Sequence, residues 1–371
     1  MKEGKSLHVV AFNVPYPPDY GGIIDIFYKL KALHASGVKI ILHAWVYERQ
    51  SADKLNEICH QVHYYTRKTG PAFFVRPMPY IVATRSDEAL DRNLLSDEHP
   101  VLFEGLHTTA PLKKCIERGK KVFVRTHNIE HNYYRMLAKS ERIIYKKLFL
   151  RSEAEKLARY ETILHSADAM LCISTTDTIY FNDKYGKSQH VSAFHQHEHI
   201  SAKSGSGDYI LFHGNLSVPE NEKALLFLVK RVFSFINYRV VIAGKNPGSH
   251  IRRICDRFPH IELISNPDNE QMNDLVERAH INLLYTYQPT GLKLKLLHSL
   301  HAGRHCMANP LMLSGSGVES LCNIYRSPSE AIELIGELMK TPFPERTIGD
   351  REKKLKEYRN SANAKKITDL L

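Results

Sequence analysis

The sequence contains no long apolar run. None of its apolar stretches approaches the ~20 residues that a membrane-spanning helix needs. Its N-terminus reaches a polar turn before a signal-peptide core can form, so we interpret it as a first strand. The chain has 371 residues, 43% hydrophobic and 25% charged. This composition is ordinary for a globular protein, and the length allows two or three domains.

Cysteine is sparse and scattered. The six cysteines include no pair at CxxC spacing, and the chain has no zinc-finger pattern. Cys115, Cys172 and Cys255 stand in apolar context, where a thiol packs as a small buried hydrophobe. We therefore expect free cysteines and a cytoplasmic protein, because that compartment keeps thiols reduced.

Acidic residues are fewer than basic ones. Lys and Arg number 51 against 40 Asp and Glu, a net charge of +11. Residues 111–160 hold 14 basic and 5 acidic residues, a net of +9. Such a surface suits nucleic acid, anionic lipid or a phosphorylated substrate, or is only a solvated helix face. Without an RNP-like or zinc-finger motif, we expect no nucleic-acid partner.

Strand-like apolar runs alternate with helical patterns along the chain, which predicts βαβ units and parallel sheets covered by helices. The alternation stops at 195–208, a polar Ser- and Gly-rich stretch, and then resumes. We predict an N-terminal domain of residues 1–197, a linker of residues 198–208 and a C-terminal domain of residues 209–349. A charged helical tail covers 350–371.

Glycine-containing loops follow several predicted strands. Ligands bind beyond the carboxyl ends of such strands, and a cleft between two domains is the default site. Glycine lets backbone amides approach a phosphate that a side chain would block. Each loop alone is explained as well by a plain turn. The residues concerned are Gly21 and Gly22, Gly214 and Asn215, Gly244 and Lys245, and Gly291.

The segment 288–303, QPTGLKLKLLHSLHAG, concentrates these features. Its turn-prone start leads from an apolar strand into a helical pattern. A helix N-terminus presents free N–H groups and a positive dipole end, which suit a phosphate. Lys293 and Lys295 add positive charge in the first turn. An ordinary turn with two solvated lysines is the alternative.

Titratable residues are concentrated at 125–131, RTHNIEH, directly after a predicted strand. Polar residues at this place are positioned for binding or catalysis. We name His127 and Glu130 as candidate catalytic residues. HNIEH is not the HExxH zinc motif, so we expect no metal there.

Three histidines alternate at the start of the polar stretch 195–208, at His195, His197 and His199. On a strand they would share one face and could hold a metal. Because a linker is solvated, we interpret them as exposed side chains.

Residues 140–166 predict a long basic helix. Arg142, Lys146 and Lys147 stand beside the apolar Ile144 and Leu148. This pattern is typical of a helix that lies on an anionic membrane surface. A domain helix with a solvated face is the alternative.

Taken in order, these segments resemble the GT-B glycosyltransferases, and the chain is similar to glycosyltransferase family 4 over nearly its whole length. The resemblance implies an α/β protein of two Rossmann-like, doubly wound parallel-sheet domains facing a central cleft. The C-terminal domain would hold the nucleotide sugar. The N-terminal domain would lie on the acceptor side, with the final helix returning to it. The segments that carry the resemblance are the Gly21-Gly22 loop, RTHNIEHNYY at 125–134, DAMLCIS at 168–174, FHGNLSVPEN at 212–221, VVIAGKNP at 240–247 and TGLKLKLLHSLHAG at 290–303.

The resemblance implies roles for individual residues. His127 matches a histidine near the transferring sugar, and Lys245 matches a basic residue at the diphosphate. The backbone amides around Leu292 match a loop that holds the distal phosphate. The donor-binding residues that it implies are Gly21, Gly22, Gly214, Asn215, Lys245, Thr290, Gly291, Leu292, Lys293 and His298.

The chain departs from the family pattern at two glutamates spaced eight positions apart. Thr290 stands where the first would touch the donor sugar, and His298 where the second would bind the ribose. Both can still form hydrogen bonds, but neither is a carboxylate. Asn215 also replaces an arginine of the family.

We therefore expect a retaining glycosyltransferase that moves a sugar from a UDP- or GDP-linked donor to a glycan or lipid-linked acceptor. Surface polysaccharide or glycoconjugate assembly fits the family. No cofactor or metal is expected. The basic region indicates an acceptor reached at the inner membrane face by a peripheral protein. The alternatives are a non-catalytic sugar-nucleotide-binding subunit and a sugar-nucleotide epimerase, which needs paired carboxylates.

Overall fold

The computed structural model describes residues 5–141, 143–289 and 291–371. The predictions for Arg142 and Thr290 lie outside the described residues. The chain divides into two compact units. Unit 1 comprises Met1–Phe194 and Asn360–Leu371, and unit 2 comprises His195–Arg359.

Unit 1 is built on a parallel sheet of seven strands in the order β3-β2-β1-β4-β5-β6-β7. All six strand pairs are parallel. Its strands are β1 Ser6–Ala11, β2 Lys39–Val46, β3 Gln61–Thr66, β4 Val101–Glu104, β5 Val122–Thr126, β6 Ala169–Cys172 and β7 Ser188–His190.

Helices cover both faces of this sheet. Leu7, Val9 and Ala11 pack on one side, while Val10 packs on the other, because successive side chains of a strand point to opposite faces. Burial on both faces explains the continuous apolar runs. The helices are α1 Gly21–Ala35, α2 Tyr80–Ala83, α3 Glu88–Leu94, α4 Leu112–Glu117, α5 Glu130–Ser140, α6 Ile144–Tyr160 and α7 Thr175–Tyr185.

Unit 2 is built on a parallel sheet of six strands in the order β10-β9-β8-β11-β12-β13. Its strands are β8 Ile210–Asn215, β9 Val240–Lys245, β10 Ile261–Ser265, β11 Ile281–Leu284, β12 His305–Ala308 and β13 Asn323–Ile324. The remaining helices are α8 Pro219–Arg231, α9 Ser249–Cys255, α10 Asn269–Arg278, α11 Leu294–Ala302, α12 Pro310–Leu313, α13 Pro328–Leu338, α14 Glu345–Lys354 and α15 Asn360–Thr368, the last of which belongs to unit 1.

The stretch 198–208, predicted as a linker, is bonded within unit 2. The N–H groups of Ser201 and Ala202 donate to the carbonyl of His301 at 2.8 and 3.0 Å. Backbone pairing of this kind explains why a polar stretch without periodicity is part of a compact unit. The division between the units falls before it, after Phe194.

The tail also divides differently from the predicted 350–371. Arg351 in α14 is fully buried in unit 2, where its guanidinium donates to the carbonyls of Gly303 and Arg304, each at 2.5 Å. The return to unit 1 begins at Asn360. Charge in the sequence marked this segment as surface, but a buried guanidinium that bonds carbonyl groups holds it to unit 2.

Two predictions made from what the sequence lacks agree with the described residues. No helix in that part of the chain is both long and apolar enough to cross a membrane. The cysteines are free, and Cys115, Cys172 and Cys255 are at most 1% exposed.

The long helix predicted at 140–166 is interrupted. α5 ends at Ser140, α6 runs over Ile144–Tyr160, and a 3-10 turn follows. Between the two helices, the Glu141 carboxylate accepts a hydrogen bond from the N–H of Ile143 at 2.8 Å. Such a local bond competes with helical bonding and marks the start of α6.

Candidate active site

Each sheet has a point where the strand order reverses. In unit 1 it lies between β1 and β4, and in unit 2 between β8 and β11. Loops that leave neighbouring strands diverge there, so ligands of doubly wound sheets bind at that carboxyl edge. The predicted site residues of each unit follow strands that end at these two edges.

The glycine loop of unit 1 leads into α1, which begins at Gly21. Tyr20, the N-cap residue, has no side-chain capping bond, so no side chain caps the first N–H groups of this helix. A Cβ added to Gly22 would lie 2.8 Å from Cζ of Phe12. A side chain at position 22 would therefore have to displace the end of the Phe12 ring, whatever the part of Gly22 in ligand binding.

His127 directly follows β5, next to the end of β4. Its Nε2 lies 3.0 Å from Oε2 of Glu104, and its ring contacts Phe12 edge-on with centroids 5.6 Å apart. The His127 side chain is 11% exposed, while Glu104 is fully buried. The structure thus pairs a predicted site residue with a carboxylate that sequence reasoning missed.

Glu104 belongs to a buried network of alternating charges. Lys29 Nζ lies 2.7 Å from Glu104 Oε1 and 3.0 Å from Asp25 Oδ2. Arg125 Nη2 lies 2.8 Å from the other Asp25 oxygen, Oδ1. All four residues are at most 1% exposed. Two carboxylates and two cations thus neutralise one another inside unit 1.

The cations keep both carboxylates ionised. Burial raises the pKa of Asp25, but Arg125 and Lys29 outweigh it and hold that pKa below its usual range. For Glu104 burial acts in the same way, and Lys29 and His127 lower the pKa below its ordinary value. An ionised carboxylate only accepts hydrogen bonds. His127 therefore donates from Nε2 and, when neutral, presents Nδ1 as an acceptor.

Asp25, Glu104 and His127 also offer ligand atoms within 4.8 Å of one another. Distance alone would fit a metal ion. However, Lys29 and Arg125 occupy the carboxylate oxygens, and their charge opposes a further cation. Asp25 and Glu104 therefore act as members of an ion-pair network and not as ligands of a metal ion.

Glu130 is the first residue of α5 and is 3% exposed. Burial, followed by the negative charges of Asp177 and Glu161, raises the pKa of Glu130 to about 8. At neutral pH this environment favours the protonated acid. The catalytic role of Glu130 stays a prediction.

In unit 2, the turn between β11 and α11 has the geometry that the sequence predicts for an anion site. Gly291 adopts a φ of 65°, a left-handed conformation that suits glycine. The N-cap residue of α11, Lys293, has no side-chain capping bond, and its Nζ donates to the Gly291 carbonyl at 3.3 Å. A helix N-terminus of this kind presents N–H groups and a positive dipole end toward an anion.

Lys295, in the first turn of α11, has no ion pair or hydrogen bond to the residues that the structure describes. Its Nζ lies 5.8 Å from the centroid of the Phe212 ring. Burial lowers the pKa of Lys295 to about 8, although the charge of Glu220 acts in the opposite direction. The Glu220 carboxylate instead accepts from the Thr286 hydroxyl and from the N–H of Tyr287.

His213, in β8, is a second unsatisfied group near Lys295. It is 6% exposed, and its Nε2 has no hydrogen-bond partner within the described ranges. Burial, with a contribution from the charge of Lys295, lowers the pKa of His213 to about 3. This edge therefore combines a partly buried cation, a neutral imidazole and a helix N-terminus whose N-cap residue makes no side-chain capping bond.

The ends of β8 and β9 lie side by side. Asn215 pairs with Lys245 in the register of the two strands. The Asn215 side chain accepts from the N–H and the hydroxyl of Ser217 at 3.1 and 2.7 Å, so its oxygen organises its own loop. A Cβ at Gly244 would lie 2.1 Å from the Gly214 carbonyl, which makes glycine necessary there.

His298 lies among other histidines. Its ring centroid is 4.8 Å from that of His197 and 6.2 Å from that of His213. Burial and the neighbouring imidazoles lower the pKa of His298 to about 3. His298 is therefore neutral at physiological pH, unlike the carboxylate that it replaces.

The interpretation of the linker histidines as exposed is wrong for His195. It is 3% exposed, and its Nε2 lies 3.1 Å from the Tyr358 carbonyl. His195 and His197 pack against His301 of α11, at 4.6 and 5.5 Å between ring centroids. His199 is exposed as expected.

No family model matches this chain. An uncharacterized 44.6 kDa protein in the cps region of Klebsiella pneumoniae is 25% identical over 332 residues, which are 83% of this chain and 84% of that protein.

Solved structures resemble the whole chain. An α,α-trehalose-phosphate synthase (UDP-forming) from Burkholderia xenovorans, in complex with glucose-6-phosphate, has a TM-score of 0.65 at 11% identity and 99% coverage of both chains. Arabidopsis thaliana UGT89C1 complexed with UDP-L-rhamnose has a TM-score of 0.60 at 12% identity, covering 100% of this chain and 99% of that one. Acinetobacter baumannii MurG has a TM-score of 0.53 at 10% identity, covering 99% and 98%. The chain has the GT-B fold, as the resemblance implies.

Proposed function

We propose that this protein is a glycosyltransferase that uses a nucleotide-diphosphate sugar as donor. The observation that carries the proposal is Lys295, a partly buried ammonium without an ion pair or hydrogen bond among the described residues, beside the N-terminus of α11, whose N-cap residue makes no side-chain capping bond. A buried charge is unfavourable unless it is paired. A diphosphate supplies the anionic oxygens that both groups lack. Solved structures that share the fold include a UDP-forming synthase and a complex with UDP-L-rhamnose, which favours a uridine nucleotide.

In the proposed reaction, the bond between the anomeric carbon and the diphosphate oxygen breaks as the acceptor hydroxyl bonds to that carbon. Negative charge grows on the leaving diphosphate. The Lys295 ammonium and the backbone amide of Leu292 stabilise it, because they are already oriented before the reaction. Lys245 adds a point charge from the end of β9.

We further propose that the sugar is transferred with retention at the anomeric carbon. A leaving phosphate oxygen takes the acceptor proton, so no protein base is required. In unit 1, His127 offers Nδ1 as an acceptor for a substrate hydroxyl, and Glu104 holds the ring in that tautomer. A neutral Glu130 is not needed in this scheme.

A glycan or lipid-linked acceptor in surface-polysaccharide assembly fits two observations. The relative in Klebsiella pneumoniae is described by its place in a cps region. Residues 111–160 carry a net charge of +9, which suits an anionic acceptor at an anionic membrane surface.

A non-catalytic sugar-nucleotide-binding subunit is the second candidate. It is favoured by His298, whose neutral imidazole replaces a carboxylate. The epimerase alternative lacks its paired catalytic carboxylates in unit 1, where Asp25 and Glu104 are engaged by Lys29 and Arg125.

A thermal-shift screen with UDP-, GDP-, ADP- and dTDP-sugars tests the donor site, since a ligand that binds only the folded state raises the midpoint. We expect a shift with one nucleotide family that is lost in Lys295→Met. The matched control is Lys230→Met, an exposed lysine at the end of α8. A shift that persists in Lys295→Met would contradict the assignment.

Release of the free nucleotide from the bound donor separates the two candidates. A glycosyltransferase turns over its donor, by transfer or by slow hydrolysis, whereas a binding subunit shows the shift without turnover.

A further inference from the structure

Exposed large apolar side chains are concentrated on one part of unit 1. Among the described residues, thirteen such side chains are exposed, and seven of them belong to two segments. The exposed fraction reaches 86% at Val75 and 74% at Ile144. We call this set the apolar patch: Phe74, Val75, Met78, Ile143, Ile144, Tyr145 and Leu148.

The two segments of the apolar patch are held together. The Phe74 ring packs edge-on against Phe149 of α6, with centroids 5.2 Å apart. Lys156 Nζ donates to the Phe74 carbonyl at 2.7 Å, and Glu153 of α6 accepts from the N–H of Tyr80 at 2.6 Å. The loop 71–80 is thus fixed against α6 and forms one surface with it.

The first half of α6 directs its apolar face outward. Ile144, Tyr145 and Leu148 are spaced i, i+1 and i+4, so they share one side of the helix. The buried residues of α6 are Glu153, Ala154 and Leu157, all in its second half. A surface helix normally buries its apolar stripe, so the start of α6 lacks the usual partner among the described residues.

Basic side chains surround the apolar patch. Lys146, Lys147 and Arg151 lie on α6, and Arg76 lies in the loop, where its guanidinium covers the Phe73 ring at 4.5 Å. None of these four cations forms an ion pair within the part of the chain that the structure describes. Apolar side chains with unpaired cations around them match the interface of an anionic bilayer, whose headgroups supply negative charge above a hydrocarbon layer.

We propose that the apolar patch inserts into the interfacial layer of an anionic bilayer, while Arg76, Lys146, Lys147 and Arg151 bind its headgroup phosphates. The proposal deepens the membrane-linked acceptor of the proposed function. Membrane binding does not depend on nucleotide binding, so either proposal can fail while the other holds.

Co-sedimentation with vesicles of phosphatidylcholine, with and without phosphatidylglycerol, measures the binding. The triple variant Val75→Ser/Ile144→Ser/Leu148→Ser removes apolar area without adding charge. We expect it to lose at least about tenfold in affinity for the anionic vesicles. The matched control is Ile179→Ser, at a 63% exposed position on α7 of the same unit, which should bind as the wild type does.

The charge component is tested with Lys146→Gln/Lys147→Gln. Each lysine removed near the surface should weaken binding to anionic vesicles by about fivefold, and added salt should weaken it further. Lys113→Gln/Arg118→Gln removes two exposed cations, one in α4 and one at its C-cap, and serves as the control. An equal loss in the control would show attraction by net charge alone and would overturn the proposal.

Insertion has its own readout, because the sequence has one tryptophan, Trp45, which is fully buried. In Leu148→Trp the new indole should shift its emission to the blue on anionic vesicles, whereas Ile179→Trp should not. Absence of the shift, or wild-type binding by the triple variant, would overturn the proposal. The proposal would also be overturned if the wild type is oligomeric and binds no vesicles while the triple variant is monomeric. The apolar patch would then mediate self-association. A cooperative thermal unfolding transition of the triple variant, measured without nucleotide, confirms that it is folded.

Discussion

At the carboxyl edge of the unit 1 sheet, buried charges are paired with one another, whereas at the same edge of unit 2 a partly buried lysine forms no ion pair among the described residues. In unit 1, Asp25 is paired with Lys29 and Arg125, and Glu104 is paired with Lys29, at 2.7–3.2 Å. In unit 2, Lys295 faces an aromatic ring and an unsatisfied His213. Two sheets of the same topology thus carry different charge arrangements. In unit 1 the charges pair with one another, whereas in unit 2 an anion is needed to pair the lysine.

The comparison shows how two similar sheets can have different tasks. A complete network fixes geometry, because each carboxylate is held from two sides, and it orients His127 through Glu104. An incomplete network is a binding site, because a ligand supplies the missing charge. Placing the anion site in unit 2 therefore depends on where charges are unpaired, not on how many lysines an edge has.

The largest effect is expected for Lys29→Met. This change leaves Glu104 and Asp25 buried with one cation fewer, and breaking a buried pair from one side costs about 3–5 kcal/mol. Denaturant unfolding followed by Trp45 emission reports on unit 1, where that tryptophan is buried. The exposed Lys31→Met on the same helix is the control, and equal stability of the two variants would show that the network is not needed.

Glu130→Gln should stabilise unit 1 at pH 8 by on the order of 2–4 kcal/mol. The folded pKa of Glu130, about 8, lies above the ordinary value of 4.5 because of burial. The folded state therefore binds the proton more tightly, and stability falls as pH rises from about 4.5 to 8. The variant should remove this slope, while Glu117→Gln, at an exposed position, should keep it. The measurement is the free energy of unfolding as a function of pH, and an unchanged slope in Glu130→Gln would contradict the prediction.

Lys295→Met should change the free energy of unfolding in the opposite direction to Lys29→Met. The pKa of Lys295 is about 8 in the folded protein against an ordinary 10.5, so the unfolded state binds the proton more tightly. The charged lysine therefore lowers the free energy of unfolding as pH falls below 10.5. Its removal should stabilise unit 2 by about 1–2 kcal/mol at neutral pH in the absence of nucleotide. Calorimetric unfolding measures the change. A destabilised variant would show that Lys295 has a partner in the free protein and would remove the contrast between the units.

A smaller difference is expected from two alanine substitutions. In Gly22→Ala the new Cβ lies 2.8 Å from Phe12, whereas in Gly214→Ala the nearest atom, on the Asn221 side chain, is 3.4 Å away. Overpacking should cost unit 1 about 1–3 kcal/mol, and Gly214→Ala should cost less. Thermal midpoints of both variants without ligand test this, and the reverse order would contradict tighter packing at Gly22 than at Gly214.

The sequence predicted the fold well where the signal is local. Apolar runs such as Leu7–Ala11 predicted buried parallel strands, and glycine-opened turns marked the loops beyond them. The resemblance to GT-B glycosyltransferases, drawn from the order of these loops, is confirmed for the fold.

The charge network was not predictable in the same way. Asp25 and Lys29 have the i, i+4 spacing of a helical ion pair, but Glu104 and Arg125 join them only because β4 lies beside β1 and β5 lies beside β4. His195 was misassigned for the same reason, since the burial of a polar stretch depends on its contact with α11. Sequence patterns indicate which face of an element is buried, but not which distant charges meet there.

The most direct test of the central claim is calorimetric titration of UDP into the wild type and Lys295→Met at pH 8, in buffers of different ionisation enthalpy. Near its pKa of about 8, Lys295 is partly neutral, and a bound diphosphate should recharge it. We predict that UDP binding takes up protons in the wild type and in Lys230→Met, and that Lys295→Met binds at least about tenfold more weakly without proton uptake. Equal affinity and equal proton uptake in Lys295→Met would contradict the assignment of the anion site.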